Sequence, residues 1–231
     1  MHRMLSFAHL GIAVCLGMWL CLQLTTPVTA QERVRAKVGI QVLSSEGPDG
    51  PKSGHTDYPI STPTQSRQRS APAKATEAVK AGDFFRVYVV PEDDAYVYVV
   101  RNDGKTLTLL NAPDTQTQVR KGTLVILPAP EKSYPIDGTS ATESITVICS
   151  PTEIREVTTL FHTTNVPQKN WLSLEQDLLG KSKIDLTQKA DKPFQIVGNV
   201  RGMYDKAFVD ALQIFSGKAY VVKKYDLQVQ K

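Results

Sequence analysis

Gly82-Asp83-Phe84-Phe85-Arg86-Val87-Tyr88-Val89-Val90-Pro91-Glu92-Asp93-Asp94-Ala95-Tyr96-Val97-Tyr98-Val99-Val100-Arg101-Asn102-Asp103-Gly104-Lys105 is the stretch that decides the fold. Two runs dense in Val, Tyr and Phe flank a proline followed by three acids. Asn102-Asp103-Gly104 then supplies the positive-φ position that a tight turn needs. β-Branched and aromatic residues suit a pleated, half-buried surface, so this is the pattern of an antiparallel meander. It predicts strands over 84–90 and 95–101, with a return over 106–110. Further strands are expected over 122–127 and 144–149, separated by a long turn carrying Pro128, Pro130, Pro135 and Gly138.

Towards the N-terminus, residues 31–43 alternate strictly. Val34, Ala36, Val38, Ile40 and Val42 share one parity, and Arg33, Arg35, Lys37 and Gln41 the other. That period of two predicts an edge strand or a strand buried on one face. Residues 44–81 carry five prolines (Pro48, Pro51, Pro59, Pro63 and Pro72) and almost no large apolar side chains. Such a segment cannot bury enough surface to offset its ordering entropy, so it reads as a flexible linker. The main domain is expected over 82–231.

Three helices follow from capping chemistry. Ser150-Pro151-Thr152-Glu153 has the form of a capping box and predicts a helix to about Leu160. Ser173 with Gln176 predicts a second, stopped by Gly180. Asp205 would cap a third, with Phe208, Ala211, Leu212 and Phe215 at helical spacing and Gly217 as its end. A closing strand over 218–230 changes parity between Val222 and Tyr225, which predicts a bulge at Lys223-Lys224. The expected fold class is mainly β with added helices: β-sandwich-like antiparallel sheets with two or three short helices.

The first 30 residues speak of compartment. A short basic start at Met1-His2-Arg3 precedes an apolar run over 5–24, and Val28-Thr29-Ala30 puts small residues at a cleavage site. Residues 1–30 therefore read as a signal peptide cut between Ala30 and Gln31, placing the protein in the periplasm or outside the cell. The same run is nearly long enough to serve as an uncleaved anchor. Removal of Cys15 and Cys21 with the signal leaves Cys149 alone, so no intramolecular disulfide is expected. A net charge of +4 spread along the chain is no electrostatic footprint for nucleic acid, and a membrane partner is expected only through the signal segment.

No catalytic constellation stands out. Glu92, Asp93 and Asp94, with Asp103 near, lack the spacing of a calcium loop and fit a solvated hairpin tip. His55 falls in the linker, and His162 near a helix end, where a cation interacts favourably with the last carbonyls. Neither has a Cys or His neighbour at zinc-ligand spacing. There is no Gly-x-Ser-x-Gly elbow, and Gly198-Asn199-Val200-Arg201-Gly202 reads as a turn. Phe84, Tyr88, Tyr96 and Tyr98 fit a packed core better than a ligand-binding stripe. No catalytic, metal or cofactor residue is assigned. The expected function is an exported, non-catalytic binding or assembly module that recognises an envelope protein or polymer through a sheet face or edge. Arg86, Arg101, Glu92 and Asp94 are expected on exposed strand surface. The alternative is an envelope hydrolase with a dispersed site around His162.

The residues Gly82-Asp83, Phe85-Arg86-Val87-Tyr88-Val89, Asp94-Ala95-Tyr96-Val97-Tyr98-Val99, Thr108-Leu109-Leu110-Asn111 and Val147-Ile148-Cys149-Ser150-Pro151 resemble a bacterial family described as domain of unknown function 4384. The resemblance covers about residues 82–160. It implies an exported or envelope-associated β-sandwich module and carries no catalytic residue with it.

The signal reading is checked by N-terminal sequencing of protein recovered outside the cytoplasm, which should start at Gln31. Recovery of an intact Met1 in the membrane fraction would establish the anchor instead.

Overall fold

Alternation along the central strands settles how the layers stack. The computed structural model describes residues 33–45, 74, 76–111, 117–163, 166–182 and 206–230. The expected signal peptide with its Ala30–Gln31 cleavage site, His55, most of the linker, the Asp205 cap and the Gly198–Gly202 turn lie outside those residues. Eleven strands are described: β1 (Val34–Leu43), β2 (Thr76–Lys80), β3 (Phe84–Pro91), β4 (Ala95–Asn102), β5 (Leu107–Leu109), β6 (Gln118–Val119), β7 (Val125–Leu127), β8 (Tyr134–Pro135), β9 (Thr142–Ser150), β10 (Gln213–Gly217) and β11 (Val221–Gln230). Three helices accompany them: α1 (Arg155–Phe161), α2 (Gln168–Ser182) and α3 (Lys206–Asp210).

The strands form two sheets. The first runs β10-β1-β3-β7, with β8 also on β3; the second runs β2-β11-β9-β4-β5, with β6 also on β4. All pairings are antiparallel except β2 on β11. Val38 and Ile40 from β1, Phe85, Val87 and Val89 from β3, Val97 and Val99 from β4, Ile145, Val147 and Cys149 from β9, and Tyr225 and Leu227 from β11 meet between the sheets. The opposite parity builds a second apolar layer on each outer side. Tyr98, Val100, Ile148 and Val222 pack under Ile154, Val157, Trp171 and Leu178 of the α1–α2 region. Tyr88 and Val90 pack under Phe208, Val209 and Leu212 around α3. Each fully buried apolar side chain of this kind is worth about 1.5–3 kcal/mol relative to exposure. The mainly-β class with added helices is therefore what the chain adopts.

Four details depart from the reading of the sequence. β1 is an interior strand: it pairs with β10 on one side and β3 on the other, and its last eight residues are buried. The domain consequently begins at β1, and not at Gly82. β2 lies inside the expected linker, where Val79 alone contributes a core side chain, a signal too small to register in composition. Asp83 holds that corner, accepting hydrogen bonds from the Lys80 amide at 2.9 Å and the Ser45 amide at 3.0 Å, and Gly82 makes the turn at φ +92°.

The helices shift too. Ser150 ends β9 and makes a local turn with Thr152, so no capping box forms there. α1 starts five residues later, where the Ile154 amide donates to the Tyr98 hydroxyl at 3.0 Å. α2 begins at Gln168 and passes through Gly180 without stopping. The third expected helix is divided: it ends at Asp210, and residues 213–217 become β10, pairing with the free edge of β1. Phe215 fits both periods, and inter-sheet burial selects the strand. Finally, β11 keeps unbroken register with β9 from Val221 to Gln228, with no bulge at Lys223-Lys224. Lys223 instead occupies an inward-parity position, its ammonium 5.1 Å from the Phe215 ring centroid and 5.3 Å from that of Tyr225.

Cys149 sits fully buried in the central core, and burial pushes its thiol up to about 12. Alkylation by a thiol reagent at neutral pH should be slow and should accelerate with the unfolding rate on adding denaturant. Rapid labelling of the native protein would contradict this packing.

Candidate functional site

The amphipathic pattern of α2 divides it between two tasks. Trp171, Glu175, Leu178 and Ser182 are buried against the second sheet, while Asn170, Ser173, Leu174 and Asp177 fall on another face at i, i+3, i+4 and i+7. Glu156 and Leu160, one turn apart on α1, face the same space. Together these six residues line an open groove of about 470 Å³ between the helices. Leu160 and Leu174 are half-buried there, and Glu156, Asn170, Ser173 and Asp177 are exposed. Leu172 beside them is 40% exposed, the large apolar side chain most open to solvent among the described residues.

The groove stands on a fixed base. Glu175, 3% exposed, accepts from the Lys224 ammonium at 2.9 Å and from the Thr146 hydroxyl, joining α2 to β11 and β9. Phe161 meets Trp171 edge-on at 5.6 Å between ring centroids, which links α1 to α2. At the rim, Asp177 pairs with Lys181 one turn on at 2.6 Å, and that hydrogen bond raises the Lys181 pKa. The pair is exposed, so solvent screens it and it contributes little to stability. Glu156 has no ion-pair partner among the described residues.

His162 caps the C-terminus of α1 through its backbone amide, which donates to Thr158 O and Thr159 O. Its imidazole has no hydrogen-bond or ion-pair partner among the described residues, and it does not line the groove. The hydrolase alternative would need a nucleophile or acid beside it; Ser173, the groove serine, is not bonded to it. Among the described residues no group of three or more His, Cys, Asp or Glu side chains could hold a metal ion. No described helix is long and apolar enough to cross a membrane.

The acidic hairpin tip is tied down residue by residue. Glu92 pairs with Arg35 at 2.7 Å, Asp93 with Lys121 at 3.2 Å, and Asp94 accepts from the Lys121 amide at 2.8 Å. Asp103 takes three hydrogen bonds from Lys105 and Thr106. Burial pushes its pKa up, but those bonds outweigh burial and hold it below the usual value.

The aromatic residues are core members. Tyr88 and Tyr98 are at most 1% exposed and Phe84 is 9% exposed. Both outer sheet faces are covered by helices, so the expected open sheet face is absent where Tyr88 and Tyr98 lie. Arg86 is 5% exposed, and the Arg101 guanidinium donates from Nε and a terminal nitrogen to Glu143 Oε2 at 3.0 and 2.8 Å. Neither is the exposed strand residue expected from its parity.

The Glu143–Arg101 pair, like Glu175–Lys224, is a buried-acid ion pair that sequence reading missed. Arg101 also donates to Pro135 O at 3.0 Å and lies over the Phe85 ring, so β4 and β9 are tied to the first sheet. Burial raises the Glu143 pKa and Arg101 only partly offsets it; Asp137 and Asp103 push it further up. The groove was missed for a different reason: its residues belong to two helices whose boundaries shifted, so no spacing within either marks it.

No family model, curated protein or solved structure matches the chain.

Because the folded chain holds the Glu143 proton more tightly than the unfolded chain does, its contribution to stability is fully present below the ordinary glutamate pKa. It is lost as pH rises through the raised folded value. Glu143→Gln, which keeps an acceptor for Arg101, should flatten that part of the stability–pH curve measured by urea unfolding. An unchanged slope would show that the fold does not raise the Glu143 pKa.

Proposed function

We propose that the chain is an exported, non-catalytic binding module of the bacterial cell envelope that holds a segment of a partner protein in the α1–α2 groove. The observation that carries this reading is the groove itself. Two half-buried leucines form its apolar floor, two carboxylates stand on opposite helices, and Asn170 and Ser173 offer hydrogen bonds to a bound backbone. Its volume suits a few side chains of a docked segment. Glu156 and Asp177 favour a lysine or arginine beside an apolar anchor and disfavour an acidic polymer. The helices bearing these groups are anchored by Glu175–Lys224 and Trp171, so little ordering is left to be done on binding. Export is supported by the character of residues 1–30.

A photo-crosslinking residue at Ser173 of the full chain should yield a discrete protein adduct in envelope preparations, while one at Lys105 should not. Glu156→Lys with Asp177→Lys should weaken capture about tenfold, the equivalent of about 1.4 kcal/mol, and His162→Ala should leave it unchanged. An adduct undiminished by the charge reversal, or equal at Lys105, would rule out the groove.

A further inference from the structure

The outer side of the first sheet holds a row of polar side chains that no element of the fold explains. Gln41 on β1 lies directly opposite Arg86 on β3. On the other side of β3, Phe84 pairs with Pro135 and Phe85 with Tyr134, and Arg86 Nε reaches Lys132 O at 2.7 Å, so Ser133, between Tyr134 and Lys132, lies beside Arg86. The Phe85 and Tyr134 rings meet at 5.3 Å on the inter-sheet side. The next residue along each strand therefore points the other way. Gln41 on β1, Arg86 on β3 and Ser133 just ahead of β8 thus lie in one row, on the side that also carries Tyr88.

All three are buried: Gln41 and Ser133 are 0% exposed and Arg86 is 5% exposed. The Tyr88 hydroxyl donates to Gln41 Oε1 at 2.8 Å, which turns the amide so that Nε2 is the free end. That Nε2 has no partner, and neither has Ser133 Oγ. Arg86 donates from Nε to Lys132 O at 2.7 Å and has no carboxylate partner among the described residues. Arg101, the part-buried guanidinium of the other sheet, has Glu143. Here a 5% exposed arginine shares its row with an unpartnered amide N–H₂ and an unpartnered hydroxyl, and has no acid partner among the described residues.

Guanidinium and amide nitrogens can only donate, and a serine hydroxyl can donate. A row of donors centred on a positive charge requires a partner rich in lone pairs and negatively charged. Water would meet the hydrogen-bonding need and leave the charge uncompensated. The planar fork of arginine matches the paired oxygens of a carboxylate or phosphate. We infer that Gln41, Arg86 and Ser133 form a binding site for a small oxyanion, a phosphate or carboxylate group. Arg86 supplies the charge and the fork, and Gln41 Nε2 and Ser133 Oγ hold the flanking oxygens. This site lies on the opposite sheet from the α1–α2 groove and stands independently of it.

The test is thermal unfolding and calorimetric titration of the full chain with inorganic phosphate and with acetate, at constant ionic strength against chloride. A ligand that binds only the folded state raises the melting temperature with its concentration. A saturable rise with phosphate alone identifies a phosphate site, and a rise with acetate identifies a carboxylate site; either supports the inference. Arg86→Lys keeps the charge and loses the fork, so binding should weaken about tenfold. Ser133→Ala removes a buried hydroxyl that is unpaired without the anion. It should leave the anion-free melting temperature unchanged or higher and still reduce the response to anion, a combination that a purely structural serine would not produce. Arg120→Gln, at an exposed position, should respond as the parent does. Should Arg86→Lys not fold, Ser133→Ala decides alone. No saturable response to either anion, or a response undiminished in Ser133→Ala, overturns the site.

Discussion

When helices cover the outer side of a sheet whose inner side already faces another sheet, the strands between have no solvated face, and polar alternation is lost. β3 and the second half of β9 meet this condition, every residue of β3 being buried. The sequence consequences are direct. Phe84 to Val90 reads as a nearly continuous apolar run because Phe85, Val87 and Val89 serve the central core while Tyr88 and Val90 serve the layer under α3. β4 and β11 repeat the arrangement against α1 and α2, with Tyr98, Val100 and Val222 on the helix side. Three apolar layers make a large interior for a chain of this length.

Apolar layers are poor at specifying register, since contact between methyl groups has little direction. The buried polar groups supply it. A one-residue slip of β9 against β4 would turn Glu143 to the helix side and take it from Arg101, leaving two charges buried without partners. Glu175 does the same for α2, which can settle on the sheet only where Lys224 and Thr146 both reach it. Asp83 does so at the corner where β1, β2 and β3 come together. Asp83 and Glu175 therefore act as alignment marks within a mostly apolar interior.

How much of this was legible in the sequence follows from distance along the chain. The hairpin of β3 and β4 is written locally, by Pro91, the acids after it and the Asn102-Asp103-Gly104 turn, and it was readable. The outward bound of the domain was not, because β1 pairs with β10, more than a hundred residues later, and β2 with β11. Phe208, Leu212 and Phe215 satisfy a helical period, and only the unpaired edge of β1 makes 213–217 a strand. Tyr98 as the partner of the α1 N-terminus replaced a local Ser150 box whose every residue was present. Of the site, neither the groove nor the Gln41–Arg86–Ser133 row could be read. Both are assembled across elements, and Arg86 and Gln41 fall on the polar parity that ordinarily signals solvent.

The pairings of β1 with β10 and of β2 with β11 also bear on when the chain can fold. The strands nearest the start of the domain complete their hydrogen bonds only with those at its end, so nearly the whole sequence must be available before either sheet closes. Contacts so remote in sequence slow the search for the native state. A chain emerging from a ribosome would thus keep both sheets incomplete until its last strands arrived. Such a delay in closure comes here from strand order alone.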